Sequence, residues 1–371
     1  MNSMPTLALS TADERALLDA LRRLGAPAWR ATQIQTAVWQ PFIDGFDAIQ
    51  QLPGDLRRAL SSEFEFSTVA IDTEAVADAG QTIKVLCRLH DGQTVETVAM
   101  ETPAHEGTRR RSTVCVSSQV GCAVGCPFCA TGHMGLRRNC TAAEIVDQVR
   151  AAARVLHARR LGPVTHIVYM GMGEPLANLA ATLESLTVLT RDAGISARRI
   201  TVSTSGVAPA IDRLATAGIP VTLAVSLHAA TDELRDRLVP LNRAHPIEAV
   251  IAAATRYAHA SGRRLSFEWC LIGGVNDSVE QAAGLRELAR RAQAHVNVIP
   301  MNRIEGSPWG PPEPAVARRF LGALDGARVT VRDTRGGDAD AACGQLRADL
   351  EARRILRADG TLSPPRVPAR A

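Results

Sequence analysis

From Arg111 onward the chain alternates short apolar runs with helical stretches. STVCVSS, THIVYMG, RITVSTS, VTLAVSLH, LSFEWCLI, HVNVIPMN and RVTVRDT are candidate strands, and amphipathic helices such as 142–156 and 278–292 lie between most pairs. A helical crossover returns the next strand in the same direction, so this alternation specifies a parallel sheet. Six or seven units fit a full or partial (β/α) barrel better than a doubly wound sheet. The expected fold class is therefore α/β with a partial (β/α) barrel core. In such barrels chemistry gathers at the C-terminal ends of the strands, so the residues that follow each run are the first candidates for a site.

Upstream the pattern differs. Residues 1–70 read as helical, with apolar faces over 9–24 and 30–42 punctuated by Pro27 and Pro53. Residues 68–100 alternate apolar with polar positions (TIKVLCRL, TVETVAM), as a small antiparallel sheet does. The tail after Leu356 holds Gly, Pro and Arg without periodicity and is expected to be disordered. The expected organisation is a helical accessory domain at 1–70, a β-rich connecting segment at 71–105, a catalytic core at 106–346 and a tail at 347–371. Aromatic residues are only 4% of the 371, so aliphatic side chains must fill the core.

The formal charge of +4 is compatible with nucleic acid but does not require it. Lys84 is the only lysine among 42 basic residues, a bias that genomic base composition can produce. The N-terminal MNSMPTLALSTADERALL lacks the basic start and apolar centre of a signal peptide, and no run approaches the roughly 20 apolar residues of a membrane span. A cytoplasmic location without membrane contact is expected. There the eight cysteines are not expected to form a disulfide framework.

Three of them, Cys122, Cys126 and Cys129, form C-x-x-x-C-x-x-C after the first of these strands. A [4Fe–4S] cluster normally takes four thiolates. Three with no evident fourth leave one iron open, and the amino and carboxylate groups of S-adenosylmethionine chelate such an iron. Reductive cleavage of the cofactor then releases a 5′-deoxyadenosyl radical. A zinc site with His133 as fourth ligand, or buried unligated cysteines, is the competing reading of the spacing. The strand ends decide between them. Gly171-Met172-Gly173-Glu174-Pro175, Ser203-Thr204-Ser205-Gly206, Ser226-Leu227-His228 and Asn302 each follow or end a candidate strand. Singly, a Gly-Met-Gly is a turn and a strand-end serine a helix cap. Together they line one rim with the hydroxyl, amide and backbone partners that a nucleoside and an amino acid need. Gly173, Glu174, Ser203, Ser226, Leu227, His228 and Asn302 are the cofactor-binding candidates.

The chain also resembles the RlmN/Cfr family of radical S-adenosylmethionine RNA methyltransferases over most of its length. The resemblance rests on CVSSQVGCAVGCPFCATGHMGLRRN (115–139), GMGEPLAN (171–178), VSTSG (202–206), SLHA (226–229), LVPLN (238–242), GVND (274–277), NVIPMN (297–302) and RDTRGGDADAACGQL (332–346), with RATQIQTAVW (30–39) matching the accessory helices. Cys140 and Ala339 stand where the family usually has leucine and isoleucine.

The resemblance implies methylation of C2 of an adenine in RNA, a carbon with no acidic proton and hence closed to polar methyl transfer. By this likeness Cys343 receives a methyl group from one S-adenosylmethionine, and a second yields the radical that activates it, two cofactor molecules per turnover. The activated carbon adds to the adenine, Glu96 accepts the ring proton, and Cys115 releases the RNA by forming a disulfide with Cys343. From the residues alone, Cys115 and Cys343 read equally as buried small hydrophobes, and a lone Glu96 in a strand as a solvent-facing residue. Cys87, Cys140 and Cys270 have no implied role.

The implied targets are adenosine 2503 of 23S ribosomal RNA and, in some members, adenosine 37 of transfer RNA. Pro175 and Ser205 resemble the C2 branch rather than the C8-methylating Cfr branch. The implied partners are RNA and an electron donor such as flavodoxin or ferredoxin, with the enzyme a monomer. Arg109–Arg111, Arg137 with Arg138, Arg159 with Arg160, and Arg263 with Arg264 are candidate phosphate contacts. A non-enzymatic iron–sulfur or zinc RNA-binding protein is the rival class.

Overall fold

The computed structural model describes residues 7–104, 107–302 and 307–332. The N-terminal unit comprises β1 (Leu7–Ala8), α1 (Glu14–Arg23), α2 (Arg30–Val38), α3 (Gly54–Glu63) and β2 (Phe64–Glu65), with β1 and β2 paired in parallel. Leu17, Leu21, Ile34, Ile49 and Leu60 form its own apolar core. The first helix starts later than the apolar face at 9–24 predicts. Residues 9–11 make a single 3₁₀ turn, and the Asp13 side chain caps α1 by accepting the Ala16 N–H at 2.8 Å.

Three antiparallel strands follow, β3 (Val69–Ala77), β4 (Thr82–Leu89) and β5 (Thr94–Thr102). After β6 (Arg111–Cys115) comes a short excursion: β7 (Gln119–Gly121), a one-turn α4 (Ala130–His133) and β8 (Leu136–Asn139). The chain then alternates α5 (Ala142–Ala158), β9 (His166–Tyr169), α6 (Leu179–Arg191), β10 (Ile200–Thr204), α7 (Ala208–Thr216), β11 (Thr222–Ser226), α8 (Asp232–Leu238), α9 (Ile247–Ser261), β12 (Leu265–Leu271), α10 (Val279–Arg291), β13 (His295–Pro300), α11 (Pro314–Ala323) and β14 (Val329–Val331).

All seven candidate strands are present. They lie side by side and parallel in the order β6-β9-β10-β11-β12-β13-β14. The antiparallel β5, β4 and β3 extend the same sheet beyond β6. Among the described residues β14 and β3 are its two edges, so the barrel is partial, as expected.

The period-2 alternation of each strand separates two environments. Val114, Ile167, Tyr169, Val202, Leu223, Val225, Phe267, Trp269, Val296 and Val298 join the apolar layer packed under the helices. The alternate residues share the other, inner face: Lys84, Glu96, Cys115, Ser203, Ser226, Glu268 and Asn297. A sheet that exposed this face to bulk water would need no such care with polar partners. Here most of these side chains are buried, and they hydrogen-bond one another.

α5 ties the N-terminal unit to the sheet. Arg150 donates to the carbonyls of Val38 and Phe66 at 3.0 and 2.8 Å and pairs with Asp147 at 2.6 Å. Asp147 in turn accepts from the Thr68 N–H and hydroxyl at 2.7 and 2.8 Å. A cleft of about 340 Å³ runs beside this junction, past Trp39, Arg154 and His157. It lies outside the helix layer and not on the inner face.

Candidate active site

The cysteine loop is shaped by close backbone approaches. Gly121 is in the left-handed region (φ +80), and a Cβ there would overlap the Gly135 carbonyl, which accepts the Cys122 N–H at 3.0 Å. Further on, Cys129 N–H donates to the Cys126 carbonyl at 3.1 Å and Gly132 N–H to the Cys129 carbonyl at 2.9 Å. A Cβ on Gly132 would fall 2.5 Å from the Cys126 oxygen, so only glycine lets this turn close. Cys122, Cys126 and Cys129 are free and half-buried. Val124, Cys126 and Phe128 lean on an apolar cluster of Ala229, Leu238, Val239, Ile272 and Met301.

Burial pushes the Cys122 thiol up to about 11 and Cys126 higher still, and each is raised further by a neighbouring cysteine of the three. Such a group of thiols is costly as bare thiolates and well matched to a cationic iron core. Among the described residues no three His, Cys, Asp or Glu side chains converge tightly enough to grip a single metal ion. Tetrahedral zinc at bonds of about 2.3 Å needs thiolates about 3.8 Å apart, whereas a four-iron cluster spreads its ligands wider. His133, the fourth ligand of the zinc reading, is exposed and its Nε2 lies 2.9 Å from the Pro127 carbonyl. Three thiols on one loop are a donor set that suits an iron–sulfur cluster with one iron left open.

The Gly171–Pro175 segment is locked to the loop between β6 and β7. Met172 N–H donates to Ser117 Oγ and Ser118 N–H to the Met172 carbonyl, at 2.9 and 2.8 Å. Gly173 has φ +96, and a Cβ on it would lie 2.5 Å from that of Gln119. Glu174, expected at the cofactor's ammonium, accepts Leu176 N–H on Oε1 at 2.9 Å and Ser205 N–H on Oε2 at 2.6 Å. Burial raises its pKa, and these donors work against that rise. It therefore joins the ends of β9 and β10. A carboxylate has lone pairs beyond these two bonds.

Ser203 and Ser226 meet across β10 and β11, Oγ to Oγ, at 3.2 Å. The Leu227 side chain is fully buried in the core and its N–H donates to the Glu268 carbonyl at 3.0 Å. What Leu227 brings to the inner face is backbone. His228 has φ +61, an uncommon conformation for a residue with a Cβ. Two bonds hold it there: its Nδ1 accepts the Cys270 N–H at 2.9 Å and its carbonyl accepts Asn276 Nδ2 at 2.8 Å. Burial, with Arg235 adding to it, pushes the ring down to about 3, so it is neutral at pH 7. Its ring meets Phe128 edge-on at 4.9 Å between centroids. Asn302 lies two residues past the end of β13 and is partly buried.

Cys115 and Glu96 share the inner face on neighbouring strands. Val98, two residues along β5 from Glu96, is in register with Cys115. Burial pushes the Cys115 thiol up to about 12; a hydrogen bond from the Met170 backbone opposes the rise and the Glu96 charge adds to it. Glu96 is 1% exposed, so the expectation of a solvent-facing carboxylate fails: its strand is covered on both sides. Cys343 lies outside the described residues, as do Ala339 and the tail at 347–371. Cys87 and Cys140 are fully buried, consistent with packing.

Sequence reasoning assigned no role to Arg235, Asn242, Asn276, Asn178 or Gln148. Arg235 is completely buried and donates to the carbonyls of Leu227, Ser205 and Ser226 and to Asn242 Oδ1. Burial lowers it to about 10, still charged at neutral pH, and Cys126 is among the groups that sense it. Asn178 donates to the carbonyls of Ser118 and Cys140 at 2.9 and 2.7 Å. Gln148 clasps both the N–H and the carbonyl of Ser117. The signal was available, since Asn178, Asn242 and Asn276 end or interrupt three of the quoted blocks. Nothing in the sequence says which carbonyls they reach.

Of the basic clusters, Arg138 is bound by Asp91 and Glu144, Arg110 by Glu101 and Arg159 by Glu74. Among the described residues Arg109, Arg137 and Arg160 have no carboxylate partner.

An open parallel β/α sheet with a three-cysteine loop after its first parallel strand defines a radical S-adenosylmethionine enzyme. The family model described as "Radical SAM superfamily" matches residues 116–285. A probable dual-specificity RNA methyltransferase RlmN of Parafrankia sp. is 47% identical over 92% of this chain and 91% of its own length. The protein of that name from Moorella thermoacetica is 45% identical over 88% of this chain and 92% of its own. Among solved structures, a radical SAM methyltransferase from Sphaerobacter thermophilus superposes with a TM-score of 0.86 at 47% identity, covering 91% of this chain and 98% of that one. The chain belongs to the RlmN family of radical SAM methyltransferases. Membership carries with it a [4Fe–4S] cluster and S-adenosylmethionine as cofactors. No described helix is long and apolar enough to cross a membrane.

Proposed function

We propose that this enzyme methylates C2 of adenosine 2503 in 23S ribosomal RNA and of adenosine 37 in transfer RNA, through a methyl group carried on Cys343. Cys122, Cys126 and Cys129 would hold the cluster, which with S-adenosylmethionine supplies a 5′-deoxyadenosyl radical. An electron donor of flavodoxin or ferredoxin type would feed it. Gly173, Glu174, Ser203, Ser226, the Leu227 backbone, His228 and Asn302 would seat the cofactor. Phe128 and the apolar cluster behind it keep water from that seat.

The remaining residues handle the RNA adduct. Cys343, once its methyl carbon is bonded to the adenine, tethers the base to the enzyme. Glu96 takes the C2 proton as the adduct gives up its one unpaired electron, which the oxidised cluster would accept, leaving a closed-shell thioether on the ring. The Cys115 thiolate then attacks the Cys343 sulfur: the S–S bond forms, the S–CH₂ bond breaks, and its electron pair goes to the carbon now attached to the ring. A proton completes the methyl group. Arg109, Arg137 and Arg160 would meet phosphates, and the base would be flipped out of its stack to reach the sheet.

The observation that carries this reading is the placement of Cys115 and Glu96 on one buried inner face, beside the strand ends that would seat the cofactor. A protein that only carried electrons or bound RNA through zinc has no use for such a pair. The test is mass spectrometry of ribosomal and transfer RNA from a strain lacking the enzyme. Loss of 2-methyladenosine is expected, and its persistence would overturn the reading; loss of 8-methyladenosine instead would move the assignment to the other carbon. A Cys115→Ala enzyme should leave RNA covalently attached to the chain.

A further inference from the structure

Six of the seven parallel strands begin at an arginine or a histidine. β6 starts on Arg111, β9 on His166 and β13 on His295, while Arg199, Arg264 and Arg328 stand immediately before β10, β12 and β14. β11 starts on Thr222, whose hydroxyl accepts from Arg263 at 3.3 Å. Counting back in twos from Cys115, Ser203, Glu268 and Asn297 reaches Arg111, Arg199, Arg264 and His295, so this collar continues the inner face. Contacts agree: Arg111 Nε donates to Thr113 Oγ1 at 3.0 Å, and His295 Nε2 lies 2.8 Å from Thr330 Oγ1. The collar surrounds the N-terminal mouth of the sheet, opposite the rim that would seat the cofactor.

Its charge is positive and unpaired. Among the described residues none of the four collar arginines is in an ion pair. Arginines of the helix layer are treated differently: Arg191, Arg256, Arg290 and Arg291 each hold a carboxylate. Burial pushes His166 down to about 4, with Arg111 and Arg199 adding to it, so its ring is neutral at pH 7. Burial and then Arg264, Arg332 and Arg328 lower His295. Every charge that acts on these two rings is an arginine. Arg332, just past β14, also acts on Arg111 of β6. Those two strands are six spacings apart, about 29 Å along the sheet. The sheet therefore curls, and the row of arginines bends round an opening.

Inside that opening the seven strands carry one inner-face carboxylate, Glu268, two steps in from Arg264. It is 4% exposed, and Ser266 and Asn297 both donate to its Oε1, at 3.1 and 2.7 Å. Its Oε2 has no partner. A buried polar oxygen left unpaired is costly, and this one marks a place for a donor brought by a guest.

We propose that the collar is the entrance for RNA: the target nucleotide passes into the barrel between the arginines, which hold the phosphates on either side of it. The fork of an arginine suits the free oxygens of a phosphodiester. Like charges gathered at one opening repel, and a polyanion relieves them. Arg111 and Cys115 lie about 13 Å apart along β6, so a base pushed past the collar heads for the thiol. The other rim is occupied by the cysteine loop, with Phe128 against His228. This rests on RNA as the substrate, the reading given under Proposed function.

The test combines Arg199→Gln, Arg264→Gln and Arg328→Gln in the cluster-loaded enzyme. The control combines Arg213→Gln, Arg286→Gln and Arg319→Gln, three exposed arginines of the helix layer with the same total charge. The probe is an RNA hairpin with the target adenosine in its loop, and its Kd is measured against salt. In the collar variant the Kd should rise about ten-fold or more, and the slope of log K against log salt should flatten by about 2, at about 0.7 per single-strand phosphate. The control should bind as wild type, and 5′-deoxyadenosine release without RNA should be unchanged in both. Equal losses in the two variants, or none in either, would overturn the proposal. A second measurement places a photoreactive benzophenone side chain at position 264. Cross-links to the immediate neighbours of the target adenosine are expected; cross-links confined to distant nucleotides refute the entrance, even where binding falls. If the triple variant does not fold, this cross-link decides. The two readings fail separately. RNA held by the collar but never methylated by the wild type removes the proposed reaction and leaves the entrance. Normal binding and methylation by the collar variant remove the entrance and leave the reaction.

Discussion

Gly132→Ala tests whether the cysteine loop is held in its ligating shape by backbone contact. Gly132 lies inside the single turn of α4 and its φ is not in the left-handed region, so alanine brings no conformational penalty of its own. Its cost is contact. The added Cβ would lie 2.5 Å from the Cys126 oxygen, 3.0 Å from its nitrogen and 3.3 Å from its carbonyl carbon, all backbone atoms that no rotamer change can move away. Ordinary contact begins near 3.5 Å, so the Cys126 peptide must retreat by about 1 Å. Overpacking of this size costs about 1–3 kcal/mol. Since Cys126 is the middle cysteine of the three, that cost falls on the conformation that binds iron. It corresponds to a loss of cluster affinity of about 5- to 150-fold.

The assay is iron and sulfide per chain after anaerobic reconstitution with limiting iron, together with the rate of iron loss to a chelator. Gly322→Ala, in α11 with no atom within 4 Å of its Cβ, is the control and should match wild type. Gly125→Ala lies in the same loop with open space around it but at φ +71, and should cost about 1–2 kcal/mol through backbone strain alone. Equal iron content and equal loss rates in Gly132→Ala and wild type would refute the reasoning.

Two further outcomes are expected. In Glu174→Gln the amide nitrogen must face either the Leu176 or the Ser205 N–H, both donors, so one of the two bonds is lost. A drop of about 1–3 kcal/mol in unfolding free energy should follow, measured by denaturant titration. In alkali the folded state should weaken. Burial raises Cys87 to about 11 and Cys115 and Cys270 to about 12, from an ordinary value of 9.0. Above pH 9 the unfolded chain sheds these protons while the folded one keeps them until pH 11–12. Stability is then full below pH 9 and falls as pH rises, by up to about 1.4 kcal/mol per unit for each thiol. Thermal midpoints between pH 8 and 11 check this, and Cys87→Ala should flatten the decline.

Much of the fold is legible in the residue order because it depends on local periodicity. Each of the seven parallel strands announces itself as a short apolar run, and capped helices such as α5 (Thr141 with Glu144) and α10 (Ser278) carry their own start signals. The chemistry of the three cysteines is equally local, since four and three residues of chain confine them to one loop. The polar scaffold is less legible. That Arg235 serves the carbonyls at the ends of β10 and β11, or that Asn178 reaches Ser118 and Cys140, depends on loops brought together from far apart in sequence. The later start of α1 was missed for the same reason: Leu7 and Ala8 find partners in Phe64 and Glu65, more than fifty residues away.

By itself, then, the sequence determined the order of strands and helices, the radical source and the family. What it left open was which face each side chain would occupy and what would stand beside it. An alternating strand has two faces, and only packing against the helices chooses between them. That choice put Glu96 inside rather than in solvent, set Lys84 against it, and brought Cys115 onto the same face one strand away. Three residues from three strands became neighbours because hydrogen-bond register, not sequence spacing, sets distance across a sheet.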